Sequence, residues 1–192
     1  MVDGEGSLAD PDDGKRRDAV ENHFKWIAAT AFLGGHAIRV NAAGKGEPAA
    51  QAERAADSLK RIARVSKDYG ISVIVENHGG LSSDGAWLKG VMESCGDEFV
   101  GTLPDFGNFG SYDRYQGVRD LMPFAKAVSA KSHDFDEEGR EVHTDYSKVL
   151  RIVREAGYRG WIGVEYEGKD LEEVAGIRAT RDLLIRVREE LS

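Results

Sequence analysis

The sequence has very little cysteine and proline, and it lacks any long uninterrupted apolar run. Among its 192 residues there are 1 cysteine and 4 prolines. Because Cys95 stands alone, the chain can form neither an internal disulfide nor a cysteine-based zinc cluster. No segment offers the roughly 20 apolar residues that a transmembrane helix needs, and the N-terminus lacks the basic and apolar regions of a signal peptide. We therefore expect a cytoplasmic protein with no membrane partner.

Basic charge is also scarce. Lysine and arginine number 26 against 34 aspartates and glutamates, which gives a formal net charge of −8. Nucleic-acid binding needs a basic face, so no nucleic-acid partner is expected. The hydrophobic fraction of 41% and the charged fraction of 31% are typical of a folded globular chain. The length suits one domain, and we assign residues 1–192 to it.

Short β-rich runs alternate with longer helical patterns along the chain. The helical patterns cover residues 14–33, 49–68, 83–94, about 115–124, 145–157 and 169–191. The β-rich runs cover residues 36–41, 71–76, 99–105, 127–133 and 160–168. Strands separated by helices of this length predict right-handed crossovers and a parallel sheet. The predicted fold class is therefore α/β.

Four successive predicted strands end in side chains that can bind a metal ion. These residues are Glu76, Asp105, His133 and Glu165, each about 30 residues after the last, which is the length of one β/α unit. The carboxyl ends of parallel strands meet at one rim, where chemistry usually takes place. Three carboxylates and one imidazole suit one divalent cation, with Mn²⁺ preferred and Mg²⁺, Co²⁺ or Zn²⁺ as alternatives. All four residues are predicted metal ligands.

The first two of these residues also have purely structural interpretations. Glu76 could be a strand-end carboxylate that pairs with Arg39, and Asp105, which follows Pro104, could be a turn residue. A bound cation explains why carboxylates that repel one another should share a rim.

The other two candidates have rivals close to them in the sequence. His133 could bond to Asp134 or Asp136 instead of a metal ion, and Glu165 competes with Glu167 for the place at the rim. The structural interpretations require the same coincidence on four strands, so the metal interpretation is preferred.

Further polar residues near the strand ends are candidates for contacting a substrate. They are Arg39, Asn41, His78, Asn108 and Lys131. Structural alternatives are an ion pair for Arg39 and Lys131, and holding the turn for Asn108. His78 and its neighbour Asn77 could each contact a substrate hydroxyl or cap a loop. The phosphate-loop, Ser–His–Asp and HExxH patterns are absent.

The ordered ligand set resembles that of the xylose isomerase-like TIM barrels, in the branch of sugar phosphate isomerases and epimerases. The segments that carry it are "GISVIVENHGG", "GTLPDFGNF", "VSAKSHDFD" and "GYRGWIGVEYEG", preceded by "HFKWIAATAFLGGHAIRVN". The resemblance implies one bound divalent cation, often Mn²⁺, and a proton-transfer pair made of Glu76 and Glu165. Asn108 stands three residues after the metal aspartate, where some epimerases carry a substrate-contacting histidine.

The function that the resemblance implies is a metal-dependent sugar isomerase or epimerase in carbohydrate metabolism. Its substrate would be a sugar or sugar-like polyol, and the reaction would be proton abstraction next to a carbonyl through a metal-stabilised enediolate. Two alternatives are kept: a non-catalytic remnant of such a barrel, and a metal-dependent hydrolase or endonuclease-type barrel.

Barrels of this kind have eight strands, which is more than the sequence provides. Counting back from Glu165 as the eighth strand makes residues 36–41 the fourth. The resemblance therefore implies an N-terminally truncated, partial TIM barrel with about five to six parallel strands. An open barrel exposes sheet edges, so we expect a homo-oligomer.

Overall fold

Five parallel strands alternate with seven α-helices in a computed structural model that describes residues 1–192. The strands are β1 (Ala37–Val40), β2 (Ser72–Glu76), β3 (Val100–Leu103), β4 (Val128–Ser132) and β5 (Ile162–Tyr166). The helices are α1 (Asp13–Asn22), α2 (Phe24–Phe32), α3 (Pro48–Asp68), α4 (Gly85–Cys95), α5 (Arg114–Leu121), α6 (Tyr146–Glu155) and α7 (Glu173–Glu190). None of the helices combines the length and the apolar character that crossing a membrane requires.

The strands lie side by side in chain order. β1, β2 and β3 form one parallel sheet, and β4 pairs with β5 in a second. Two isolated parallel bridges, Thr102 to Ala125 and Asp105 to Ser129, join the two sheets. β1 and β5 do not pair with each other, so the strands do not close into a barrel. The predicted α/β class, with five parallel strands of an open barrel, is confirmed.

Helices pack on the strands through apolar stripes. In α3, Leu59 and Ile62 are fully buried, as is Val73 on β2. Burying each such side chain contributes about 1.5–3 kcal/mol to the free energy of unfolding. The helix begins at Pro48, whose missing N–H costs nothing in the first turn, and it ends before Gly70, which takes a φ of +66°. The chain then enters β2, the strand that carries Glu76.

The predicted helix over residues 14–33 is two helices rather than one. The break lies at His23, whose side chain is buried and whose Nδ1 lies 2.7 Å from the carbonyl oxygen of Ala19. The chain turns there so that Val20 in α1 and Ile27 in α2 can both reach the core. Periodicity alone does not reveal this break because Val20, Phe24 and Ile27 keep helical spacing across it.

Candidate metal centre

Three carboxylates from the ends of β2, β3 and β5 come together at one rim. Glu76 is the last residue of β2, Asp105 lies two residues beyond β3, and Glu165 lies in β5. One oxygen of each carboxylate lies within 4.8 Å of the others. Glu76 and Asp105 are buried, whereas the Glu165 side chain is 41% exposed. Three negative charges this close repel one another unless cations compensate them.

Asp105 is held in place from both sides. Its backbone N–H donates to Asn77 Oδ1 over 2.7 Å, and Asn77 Nδ2 donates to its carbonyl oxygen over 3.0 Å. Its Oδ1 accepts hydrogen bonds from the backbone N–H groups of Gly107 and Asn108, both at 2.9 Å. A Cβ at position 107 would lie 2.8 Å from Lys131 Cγ, so the tight turn needs glycine there.

The second carboxylate oxygen of Asp105 lacks a donor. Oδ2 is buried and has no hydrogen-bond partner. Burial raises the pKa of Asp105 from its ordinary 3.8 to about 7, against the opposing effects of the Ser129 hydroxyl and the Lys131 charge. An oxygen left unpaired in a buried site costs free energy, which a bound cation would recover. The carboxylate set and this oxygen therefore fit a hard divalent cation.

Glu76 is held by a buried ion pair. Arg39 Nε donates to Glu76 Oε2 over 2.6 Å, and the two side chains are only 7% and 6% exposed. Asn108 Nδ2 donates to Glu76 Oε1 over 3.0 Å. The ion pair that sequence analysis kept as an alternative is thus present, and the same carboxylate also belongs to the cluster.

Glu165 is held by a buried lysine and by a serine. Lys131 Nζ lies 2.9 Å from Glu165 Oε1 and 2.9 Å from Glu167 Oε1, and Ser129 Oγ donates to Glu165 Oε2 over 2.8 Å. Burial raises the pKa of Glu165, but the hydrogen bonds from Lys131 and Ser129 outweigh it and hold this pKa below its ordinary value. Glu165 is therefore a carboxylate at neutral pH. Of the two competing glutamates, it is the one that joins the cluster.

His133 does not join the three carboxylates. It follows the end of β4, its Nε2 lies 3.8 Å from Glu167 Oε2, and its backbone N–H donates to Glu141 Oε1 over 3.2 Å. The residue of β4 that lies beside Asp105 is Ser129. His133 is four positions after Ser129, which is about 13 Å along an extended strand. The structure therefore brings together three of the four predicted ligands, and His133 is not among them.

The five predicted substrate contacts fall into two groups. Arg39, Asn108 and Lys131 touch the carboxylates directly. Asn41 and His78 instead line a neighbouring cavity. The Oδ1 atom of Asn41 is buried without a partner, and the side chain of His78 is exposed.

One residue of the site, Ser129, and the role of another, Asn77, have no clear signal in the sequence. Ser129 attracts no attention in a strand, although its spacing of two residues from Lys131 places both side chains on the same face of β4. Asn77 was predicted to cap a loop or to contact substrate, but its side chain bonds the backbone of Asp105.

Comparisons with known proteins identify similar folds over nearly the whole chain. A family model described as xylose isomerase-like TIM barrel matches residues 2–187. A curated relative, the C-glycoside deglycosidase alpha subunit of Arthrobacter globiformis, is 41% identical over 49 residues. That match covers 26% of this chain and only 14% of the relative.

Two solved structures show the same fold at low sequence identity. An L-ribulose 3-epimerase superimposes with a TM-score of 0.80 at 16% identity, covering 97% of this chain and 74% of that protein. A xylose isomerase-like TIM barrel protein from Mycobacterium smegmatis, in complex with magnesium, gives a TM-score of 0.70 at 16% identity. That match covers 92% of this chain and 68% of the other.

Proposed function

The chain belongs to the xylose isomerase-like TIM barrel family, and from this premise we propose that it is a divalent-metal-dependent sugar isomerase or epimerase. The observation that carries the proposal is the meeting of Glu76, Asp105 and Glu165 at one rim. An L-ribulose 3-epimerase has a similar fold. We also propose that residues 1–192 act as one partial-barrel domain in the cytoplasm.

The three carboxylates would hold the cation, with Mn²⁺ as our first choice and Mg²⁺, Co²⁺ or Zn²⁺ as alternatives. The magnesium complex of the Mycobacterium smegmatis barrel supports a divalent ion in this fold. When bound, the cation would stabilise the negative charge that develops on a substrate oxygen as the neighbouring carbon loses its proton.

Glu165 is suited to take that proton. It is ionised at neutral pH because of its lowered pKa, and it is the most exposed of the three carboxylates. Its carboxylate is oriented by Lys131 and Ser129, which fix one oxygen each. A positioned base of this kind contributes about 10²–10⁴-fold to the rate.

Glu76 would act on the other side of the substrate carbon. Returning a proton to the opposite face of the same carbon gives epimerisation, and returning it to the adjacent carbon gives isomerisation. Arg39 and Asn108 orient Glu76. Their N–H groups, with the ammonium of Lys131, are the donors available to substrate hydroxyls and to the carbonyl, and the cavity at Asn41 would take the more distant hydroxyls.

The open sheet favours association between copies of this chain. β5 leaves one side without a strand partner, and the free side of β1 is met by the N–H of Val2, which donates to Arg39 O over 2.8 Å. Unpaired edges favour pairing with another chain, so we propose a homo-oligomer.

A non-catalytic metal-free barrel is the second candidate. Arg39 and Lys131 already neutralise two of the three carboxylates, so the cluster can persist without an added cation. Such a chain would catalyse no proton exchange.

Solvent-exchange measurements test the proposed function. The purified chain, loaded with Mn²⁺, is incubated in D₂O with D-tagatose, D-fructose or L-ribulose, and NMR follows deuterium at the carbons beside the carbonyl. We expect exchange with at least one ketose, reduced by about 10²-fold or more in Glu165→Gln. Exposed Glu189→Gln is the matched control. Equal rates in the two variants, or no exchange with the cation bound, would contradict the proposal.

A further inference from the structure

Ser129 occupies the place on β4 that faces the carboxylate cluster. Its backbone bridges Asp105 in parallel register: Ser129 N donates to Pro104 O over 3.0 Å, and Phe106 N donates to Ser129 O over 3.1 Å. The residue is 6% exposed. Because both backbone hydrogen bonds join Ser129 to residues 104–106, the short side chain has little freedom to leave the site.

The hydroxyl of Ser129 lies among the cluster oxygens. Its single proton is donated to Glu165 Oε2 over 2.8 Å. A hydroxyl oxygen carries two acceptor lone pairs, which this bond leaves free. Nearby, Asp105 Oδ2 is buried and has no donor. The site thus contains a hydroxyl oxygen and an unpaired carboxylate oxygen, and both can coordinate a cation.

Nitrogen and sulfur donors do not join this group. The metal-competent set consists of Glu76, Asp105 and Glu165, and His133 is about 13 Å further along the chain direction of β4 than Ser129. The only cysteine, Cys95, is buried in α4, away from the set. The side-chain nitrogen atoms that contact the carboxylates belong to Arg39, Lys131 and Asn108. All of them are hydrogen-bond donors without a free lone pair, so they cannot ligate a metal ion.

We propose that Ser129 is the fourth protein donor and that the centre is an all-oxygen site made of Glu76, Asp105, Ser129 and Glu165. The proposal deepens the proposed function, since it rests on a divalent cation at the cluster. A serine or threonine hydroxyl ligates Mg²⁺ in phosphate-binding loops, so the chemistry has precedent. Oxygen donors alone favour Mg²⁺ and Mn²⁺, whereas imidazole and thiolate donors favour Zn²⁺ and Co²⁺. The site would therefore select hard cations.

A near-isosteric sulfur substitution tests the position directly. In Ser129→Cys, a thiolate replaces the hydroxyl at the proposed ligand position. When the metal-free variant is titrated with Co²⁺, we expect a sulfur-to-cobalt charge-transfer absorption in the near ultraviolet, and an affinity for Zn²⁺ relative to Mn²⁺ raised by about 10-fold or more. Wild-type protein, which keeps buried Cys95, is the control and should lack the absorption.

Calorimetric titration with Mn²⁺ separates Ser129 from His133. Ser129→Ala should weaken Mn²⁺ binding by roughly 10-fold, Ser129→Thr should retain it because the hydroxyl is kept, and His133→Ala should leave it unchanged within about twofold. Urea unfolding of each metal-free variant shows whether it is folded.

Three results would overturn the assignment of Ser129, and only the third also rejects the cation. The first is an unchanged Mn²⁺ affinity in folded Ser129→Ala. The second is a loss of affinity in His133→Ala together with no cobalt–sulfur absorption in Ser129→Cys. Either one rejects Ser129 as a ligand, while the cation proposal survives. Absence of Mn²⁺ binding to the wild-type chain rejects both.

Discussion

Asn77 and Asp105 exchange two hydrogen bonds across the ends of β2 and β3, at 3.0 and 2.7 Å. Both residues are fully buried. The side-chain amide of Asn77 bonds both the N–H and the carbonyl oxygen of Asp105, as the backbone of a neighbouring strand would. Because Asn77 directly follows Glu76, this contact sets the distance between two of the three carboxylates.

Removing the Asn77 amide should therefore destabilise the chain. Asn77→Ala leaves a buried N–H and a buried carbonyl of Asp105 unpaired, and each such group costs about 1–3 kcal/mol. We expect a loss of roughly 2–4 kcal/mol in the free energy of unfolding, measured by urea denaturation. Asn22→Ala is the matched control, because Asn22 is exposed and bonds a carbonyl only at 3.3 Å. Equal losses in the two variants would show that the contact does not hold the site.

The buried ion pair between Arg39 and Glu76 should matter far more than an exposed one. Arg39→Met leaves Glu76 as an uncompensated buried charge, and breaking such a pair costs about 3–5 kcal/mol. We expect thermal denaturation to show this loss and saturating Mn²⁺ to recover part of it, because the cation would replace the missing positive charge. Arg61→Met breaks the exposed pair with Asp57 and should cost no more than about 0.5 kcal/mol.

For this pair, the metal dependence is decisive. A deficit in Arg39→Met that Mn²⁺ leaves untouched would mean that the cation does not neutralise Glu76.

Asp105 should make the metal-free chain less stable as the pH rises. Burial raises the pKa of Asp105 to about 7, whereas in the unfolded chain it stays near its ordinary 3.8. Between these values the folded chain keeps a proton that the unfolded chain has lost, so the stability falls by at most about 1.4 kcal/mol per pH unit and levels off above pH 7. Urea denaturation from pH 4 to pH 8 measures this slope.

Asp105→Asn serves as the reference for that slope because it has no carboxyl to titrate. The difference in the free energy of unfolding between wild type and Asp105→Asn should fall between about pH 4 and pH 7. Saturating Mn²⁺ should oppose this loss of stability in the wild type only. A difference that does not depend on pH would contradict the raised pKa.

The strand–helix rhythm and the polar strand ends could be predicted from the sequence. Apolar runs bounded by glycine identify the strands, and Glu76 and Glu165 lie at or near the ends of β2 and β5 as expected. The partner on β4 could not be predicted in this way. Aligning strands by their last polar residue selects His133, but neighbouring strands are staggered, and Asp105 lies beside Ser129 instead. Stagger depends on pairing between strands, which a single sequence does not display.

The two hydrogen bonds between Asn77 and the Asp105 backbone could not be predicted from the sequence for a related reason. An asparagine after a strand suits a loop cap, a substrate contact or a backbone clamp equally well, and only the approach of β3 selects among them. Lys131 illustrates the opposite case: an ion pair was the structural alternative for this residue, and its ammonium lies between two glutamates.

Anomalous diffraction from crystals grown with Mn²⁺ tests most directly whether Glu76, Asp105 and Glu165 share one cation. We predict a single anomalous peak at the rim, within ligand distance, about 2.0–2.6 Å, of one oxygen from each of the three carboxylates. A well-ordered crystal in which the carboxylates carry no such peak, or in which Mn²⁺ binds elsewhere, would contradict the central claim.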